Sequence, residues 1–407
     1  MAKDFIHYED ALKIANPVSF NLMLKPVGAA CNLDCTYCYY KDKDYGHGIM
    51  DDETLELSVK GYLETAGTDE VTFNWHGGEP LLAGREFYRK ALLLQKKYSD
   101  GRKINNTIQT NGILIGREWA EFLAENDFLT GLSLDGPQDI HDRYRRCKTG
   151  SNSFERVIRG LEWLKRAGVR FNTMTVISKA SEGRGGEVYQ FLKYAGSRYM
   201  QFMPAVEFLG TGKGKQSIVD PSESEGVLAP WSVSAEGFGH FMCDVFDCWV
   251  KRDVGQYFVG LFDATLAGWC GMRAGTCIYG RTCGENCLVE CNGDIYPCDH
   301  FVYDKFKEGN IRGSSLGSVM NSFSQIRFGQ DKCDSLPDKC NKCLYLHLCW
   351  GECPKHRLPS FASSNPGENV LCDGYSMFFA YVQPYMLRMR TLLESGQPPA
   401  LIMQWDQ

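Results

Sequence analysis

The sequence predicts an α/β chain: a partial (β/α)₆ barrel followed by a small cysteine-rich domain. Three observations carry that expectation. Six short apolar runs of strand character alternate with longer amphipathic stretches through the first half of the chain. From about Gly268 onward the character changes, and glycine and cysteine crowd the sequence. The 18 cysteines are also unevenly placed, with three at positions 31–38, one at 147 and fourteen between Cys243 and Cys372.

The first strand is expected over Phe20–Lys25, which Pro26 and Gly28 then end. The next five are Val71–Trp75, Asn106–Thr110, Leu129–Leu134, Asn172–Ile177 and Met200–Pro204. Between them, Asp51–Ala66, Arg85–Tyr98, Glu118–Asn126, Ser153–Ala167 and Gly186–Tyr194 have the pattern of amphipathic helices. Strands joined through helices pair in parallel, with right-handed crossovers. Six such units are too few for a closed eight-stranded barrel, so one side stays open to a large substrate. Gly210–Pro230, rich in Gly, Ser and charge, reads as a connection or lid, and Phe238–Asp253 as a helix. Asn292-Gly293-Asp294 between apolar flanks signals a hairpin turn. After Tyr375 the chain reads as a last helix. The expected divisions are 17–235 for the barrel, 236–385 for the cysteine-rich domain and 386–407 for the helix end and tail.

Lys and Arg total 44 against 50 Asp and Glu, a net charge of −6. No basic run suggests nucleic acid or an anionic membrane surface. The N-terminal stretch lacks the apolar core of a secretory signal, and no apolar run reaches membrane-spanning length. A cytoplasmic protein is expected. In a reducing compartment, clustered cysteines read as metal ligands rather than disulfides.

Cys31-Asn32-Leu33-Asp34-Cys35-Thr36-Tyr37-Cys38 sets three thiols on one short loop past a strand end. Four thiolates close an iron–sulfur cube, whereas three leave one iron open to an outside ligand. The second strand runs into His76-Gly77-Gly78-Glu79-Pro80, where glycines let backbone approach a ligand and Glu79 can accept from an ammonium. The fourth ends in Ser133-Leu134-Asp135-Gly136-Pro137, followed by Arg145, whose fork suits a carboxylate. A strand-to-loop turn, a strand end and a solvated surface charge are the plainer readings of these three. Cys340, Cys343, Cys349 and Cys353 have spacings that would also suit a zinc ribbon.

With Tyr37 before its third cysteine, CNLDCTYC resembles the signature of radical S-adenosylmethionine (SAM) enzymes. That resemblance implies a partial TIM-like radical SAM barrel whose three-cysteine loop holds a 4Fe–4S cluster that chelates SAM. It places Tyr37, Gly78, Glu79, Ser133 and Arg145 among the SAM contacts, and Val206 against the adenosine. The second half resembles the SPASM-type extension with two auxiliary 4Fe–4S clusters, three clusters in all. The pattern assigns Cys277, Cys283, Cys298 and Cys353 to one auxiliary cluster and Cys340, Cys343, Cys349 and Cys372 to the other. LKPVGAACNLDCTYCYY, FNWHGGEPLLAG, IQTNGILI, GLSLDGP and CNGDIYPCDHFV together resemble the anaerobic sulfatase-maturating enzymes. That family oxidises an active-site Cys or Ser of a sulfatase polypeptide to Cα-formylglycine, with an electron donor such as flavodoxin or ferredoxin. By the same resemblance Asp299 is the base that deprotonates the target side chain. The rival readings are a radical SAM maturase that crosslinks a precursor peptide, and a non-catalytic iron–sulfur or zinc scaffold.

Overall fold

The structure is a computed structural model and describes residues 20–41, 48–210, 218, 226–358 and 366–405. Most of the expected Gly210–Pro230 connection, the N-terminal segment and the last two residues lie outside the described residues.

β1 (Asn21–Leu24), β2 (Glu70–Trp75), β3 (Lys103–Thr110), β4 (Leu129–Ser133), β5 (Phe171–Ile177) and β6 (Tyr199–Pro204) pair side by side, all parallel. The crossovers carry α1 (Asp52–Thr65), α2 (Arg85–Tyr98), α3 (Arg117–Glu125), the short α4 (Gln138–Tyr144), α5 (Phe154–Ala167) and α6 (Gly185–Ala195). Local chemistry sets their ends. The Asp51 side chain caps α1 by accepting from Thr54 N at 2.8 Å. α5 and α6 both stop at glycines in the left-handed region, Gly168 and Gly196. All six expected strands and five expected helices are present within a few residues, and α4 is an addition.

The sheet does not stop at the sixth strand. After the hairpin β7 (Phe208–Gly210) and β8 (Gly226–Leu228) comes α7 (Ala235–Val250), then β9 (Phe258–Val259), which pairs in parallel with β6. At the opposite edge β10 (Asn286–Val289) pairs in parallel with β1, in the register Asn21↔Asn286 to Leu24↔Val289. β11 (Asp294–Tyr296) turns back on β10 through the expected Asn292-Gly293-Asp294 hairpin, and β12 (Gly309–Asn310) closes the edge. The result is one sheet of ten strands in the order β12-β11-β10-β1-β2-β3-β4-β5-β6-β9. The cysteine-rich half therefore continues the barrel sheet on both edges.

The core has two main parts. One lies under α1 and α2, with Leu55, Val59, Phe73, Trp75 and Tyr88. The other joins α6 and α7 to the last helix, α8 (Cys372–Glu394), through Val188, Leu192, Phe241, Phe246 and Phe378. α8 meets α7 very closely. A Cβ on Gly374 would stand 2.0 Å from the Ala235 carbonyl oxygen, and backbone cannot yield. Gly374→Val is therefore expected to destabilise the chain by about 1–3 kcal/mol, read as a lower unfolding midpoint. Gly116→Ala, where a Cβ meets nothing within 4 Å, should stay within about 0.5 kcal/mol of the parent. Equal midpoints for the two variants would contradict this packing.

Candidate active site

The three-cysteine loop is held by the end of β2. Gly78 N donates to Gly28 O and Glu79 N to Ala30 O, both at 2.8 Å. A Cβ on Gly78 would sit 2.1 Å from Ala30 O. Contact with the loop therefore already requires glycine at this position, before any ligand is considered. Glu79 also differs from expectation. Its carboxylate is fully buried and accepts from Leu81 N (3.0 Å), Thr110 Oγ1 (2.8 Å) and Asn111 N (2.8 Å). Burial pushes it up to about 7 against the pull of those donors. Glu79 is a tie between the ends of β2 and β3, and it does not reach the cavity wall.

That cavity, about 400 Å³, opens at the carboxyl ends of β2–β6. Cys31, Cys35 and Cys38 line it together with Tyr37, Gly78, Ser133 and Arg145. Val206 does not. It is core, 1% exposed, while its neighbours Ala205 and Glu207 face the cavity. Arg145 is buried, so the surface-charge reading fails. Its Nε donates to Asp135 Oδ2 at 3.0 Å, and Tyr37 OH donates to the same oxygen. Val176 N holds the other Asp135 oxygen at 3.0 Å. The guanidinium, 5.4 Å from the Tyr37 ring centroid, is thus fixed beside Cys35. Ser133 Oγ accepts from Gln109 Nε2 at 3.0 Å.

The far cysteines sort into two groups. Cys277, Cys283, Cys298 and Cys353 line the same cavity as the three-cysteine loop. Cys340, Cys343, Cys349 and Cys372 surround a second, smaller one of about 60 Å³. Cys353 thus stands apart from Cys340, Cys343 and Cys349, and the zinc-ribbon grouping is not what the fold assembles. Cys147, Cys243, Cys248, Cys270, Cys287, Cys291 and Cys333 line neither cavity. Burial pushes the Cys31 thiol up to about 11, Cys35 to about 12 and Cys283 to about 11. Such thiols give up their protons to a metal centre rather than to water. Three convergent sulfurs in one wall, and four in each of two further sets, fit iron–sulfur ligation.

Asp299 completes the main cavity. Its carboxylate pairs with Lys25 Nζ and accepts from Tyr39 OH. Lys25 is wholly buried, its Nζ 3.7 Å from the Tyr40 ring centroid, and Tyr40 OH donates to Glu290 at 2.6 Å. Burial alone would raise Asp299. The Lys25 ammonium outweighs that and holds the Asp299 carboxyl well below the usual carboxylate range. Burial pulls His76 down to about 4, and its Nδ1 accepts from Gly77 N at 2.8 Å. Lys25, Tyr39, His76 and His300 were not singled out from sequence. One signal was available, because a lysine ending a buried strand needs a partner.

The family described as the Radical SAM superfamily matches residues 26–192, and the one described as an iron–sulfur cluster-binding domain, SPASM, matches residues 277–344. The fold and site thus define a radical SAM protein with a SPASM extension. Among curated relatives, the serine-type anaerobic sulfatase-maturating enzyme of Bacteroides thetaiotaomicron is 44% identical over 94% of both chains. The cysteine-type enzyme of Clostridium perfringens (strain 13) is 32% identical over 91% of this chain and 98% of its own. A solved structure of native anSMEcpe with bound AdoMet and the Kp18Cys peptide superposes with a TM-score of 0.81, at 33% identity, over 91% of this chain and 99% of that one. The chain belongs to the anaerobic sulfatase-maturating enzymes. No helix among the described residues is long and apolar enough to cross a membrane.

The Lys25–Asp299 pair can be weighed by a double-mutant cycle. Lys25→Met leaves a carboxylate without its partner and should cost about 3–5 kcal/mol of unfolding free energy. Adding Asp299→Asn should restore part of that loss, and strictly additive changes would show that the pair does not couple.

Proposed function

We propose that this chain oxidises an active-site Ser or Cys of a sulfatase polypeptide to Cα-formylglycine under anaerobic conditions. The carrying observation is that Asp299 shares one cavity with the three-cysteine loop and with one four-cysteine set. The name of the 44% identical relative favours Ser as the target. The polypeptide enters as an unfolded or nascent segment, and a flavodoxin- or ferredoxin-type protein supplies reducing electrons.

The residues divide the work. Cys31, Cys35 and Cys38 hold the cluster that binds SAM. Cys277, Cys283, Cys298 and Cys353 hold one auxiliary cluster, and Cys340, Cys343, Cys349 and Cys372 the other. Bound there, these groups would supply the radical chemistry that removes hydrogen from the target Cβ and an acceptor for the remaining electron. Arg145, fixed by Asp135 and Tyr37, offers its fork to the SAM carboxylate, with Ser133 beside it. Gly78 acts through backbone, while Glu79 and Val206 support the wall from behind. Asp299 takes the hydroxyl or thiol proton of the target. Lys25 and Tyr39 hold that carboxylate at the cavity wall. A serine target leaves as the aldehyde directly, and a cysteine target through a thioaldehyde that hydrolyses.

After anaerobic reconstitution the chain should hold about twelve irons, and Ala at Cys31, Cys35 and Cys38 should remove about four together with all SAM cleavage. Bound zinc with about four irons would contradict the auxiliary sets.

Incubation with SAM, a reductant and a sulfatase-derived peptide tests the reaction. A formylglycine product reacts with a hydrazide, whereas a crosslinked peptide does not. Asp299→Asn should still form 5′-deoxyadenosine while formylglycine falls about 10²–10⁴-fold. Near-normal formylglycine from that variant would assign the base elsewhere.

A further inference from the structure

Next to Asp299 the chain places an imidazole against a sulfur. His300 Nδ1 lies 3.3 Å from Cys353 Sγ. The ring is held on two sides. Tyr39 meets it edge-on at 5.4 Å and 83°, and His356 lies 6.0 Å away. His356 is itself fixed by Glu352 at 2.8 Å, and Glu352 by Asn369 at 2.7 Å. His300 therefore has little freedom to turn away from the sulfur.

Bare thiols leave the direction of this hydrogen bond open, because either the sulfur or Nδ1 can carry the hydrogen. Metal ligation settles it. A ligating sulfur is a thiolate with no proton, so the hydrogen must sit on Nδ1. The other sulfur sets have different neighbours. Cys31 is approached by Leu33 N at 3.4 Å and the Asn111 amide at 3.7 Å, and Cys343 by Tyr345 N at 3.4 Å. Among the described residues, Cys353 is where an imidazole is hydrogen-bonded to a cysteine sulfur.

We propose that His300 donates from Nδ1 to the Cys353 sulfur and thereby raises the reduction potential of the cluster on Cys277, Cys283, Cys298 and Cys353. The inference rests on the reading of that set as cluster ligands. Reduction places one more negative charge on iron and sulfur, and a donor aimed at a sulfur stabilises that charge more than the oxidised form. The potential rises accordingly. The set so tuned shares its cavity with Asp299, where the target side chain loses its proton. The electron acceptor made more favourable in this way lies beside the base. No atom is transferred in this step, since His300 keeps its proton and only the electron moves.

The test is a potentiometric titration of the anaerobically reconstituted full chain, followed by electron paramagnetic resonance, for the parent, His300→Phe and His300→Gln. With iron retained, His300→Phe should shift one cluster's midpoint to lower potential and leave the other two unchanged. His300→Gln, which keeps an N–H donor, should lie closer to the parent. An unshifted His300→Phe with full iron overturns the inference. The parent labelled with ¹⁵N-histidine gives a reading that needs no variant. Its reduced clusters should show hyperfine coupling to one histidine nitrogen, and absence of that coupling also overturns the inference. Parent iron near four would instead overturn the ligand reading, and this inference with it.

Discussion

The parallel pairing of β10 with β1 is the constraint on which the site depends. Four residue pairs, from Asn21↔Asn286 to Leu24↔Val289, join segments far apart in sequence. That register sets the hairpin of the cysteine-rich half beside the first barrel strand, and the chain leaving the hairpin brings Cys298 and Asp299 to the barrel cavity. Lys25, directly after β1, then meets a carboxylate 274 positions away. Parallel pairing of such distant segments is slow to find, and here it is closed by a buried ion pair that costs several kcal/mol to break from one side.

Buried charge is handled consistently around the cavity. Arg145 is matched by Asp135, Lys25 by Asp299 and Lys355 by Glu207 at 2.8 Å. Lys355 also lies 3.9 Å from the Tyr39 ring centroid, and Tyr39 holds Asp299. These pairs hold their side chains before any substrate arrives. Fixed charges and dipoles of this kind are worth most where water is excluded and no reorganisation is needed at the moment of reaction. The neutral imidazoles of His76 and His300 add polarity to the wall without adding charge.

Much of this was legible in the sequence, and the failures have physical causes. The six strands and five helices have strong periodic patterns, whereas the division of the far cysteines into two sets came only from the resemblance, because spacing alone also suited a grouping of Cys353 with Cys340, Cys343 and Cys349. β9 and β12 have two residues each, too few for any period to register, so the continuation of the sheet across both halves was not readable. Glu79 was placed correctly at a strand end, but pattern alone does not say which way a side chain points. Here Thr110 and the Leu81 and Asn111 amides draw it away from the cavity. Gly78 shows the same limit, because its constraint comes from Ala30, a contact that no spacing encodes. Lys25 looked like an ordinary strand end because its partner lies in the other half of the chain.

The central claim is that one cavity holds both the hydrogen-accepting and the proton-accepting ends of the oxidation. Deuterium transfer tests it most directly. A sulfatase-derived peptide deuterated at the target Cβ is incubated anaerobically with the reconstituted chain, SAM and a reductant. Mass spectrometry then measures deuterium in 5′-deoxyadenosine alongside the aldehyde. The account predicts one deuterium transferred for each formylglycine formed. Formylglycine accompanied by unlabelled 5′-deoxyadenosine would contradict it.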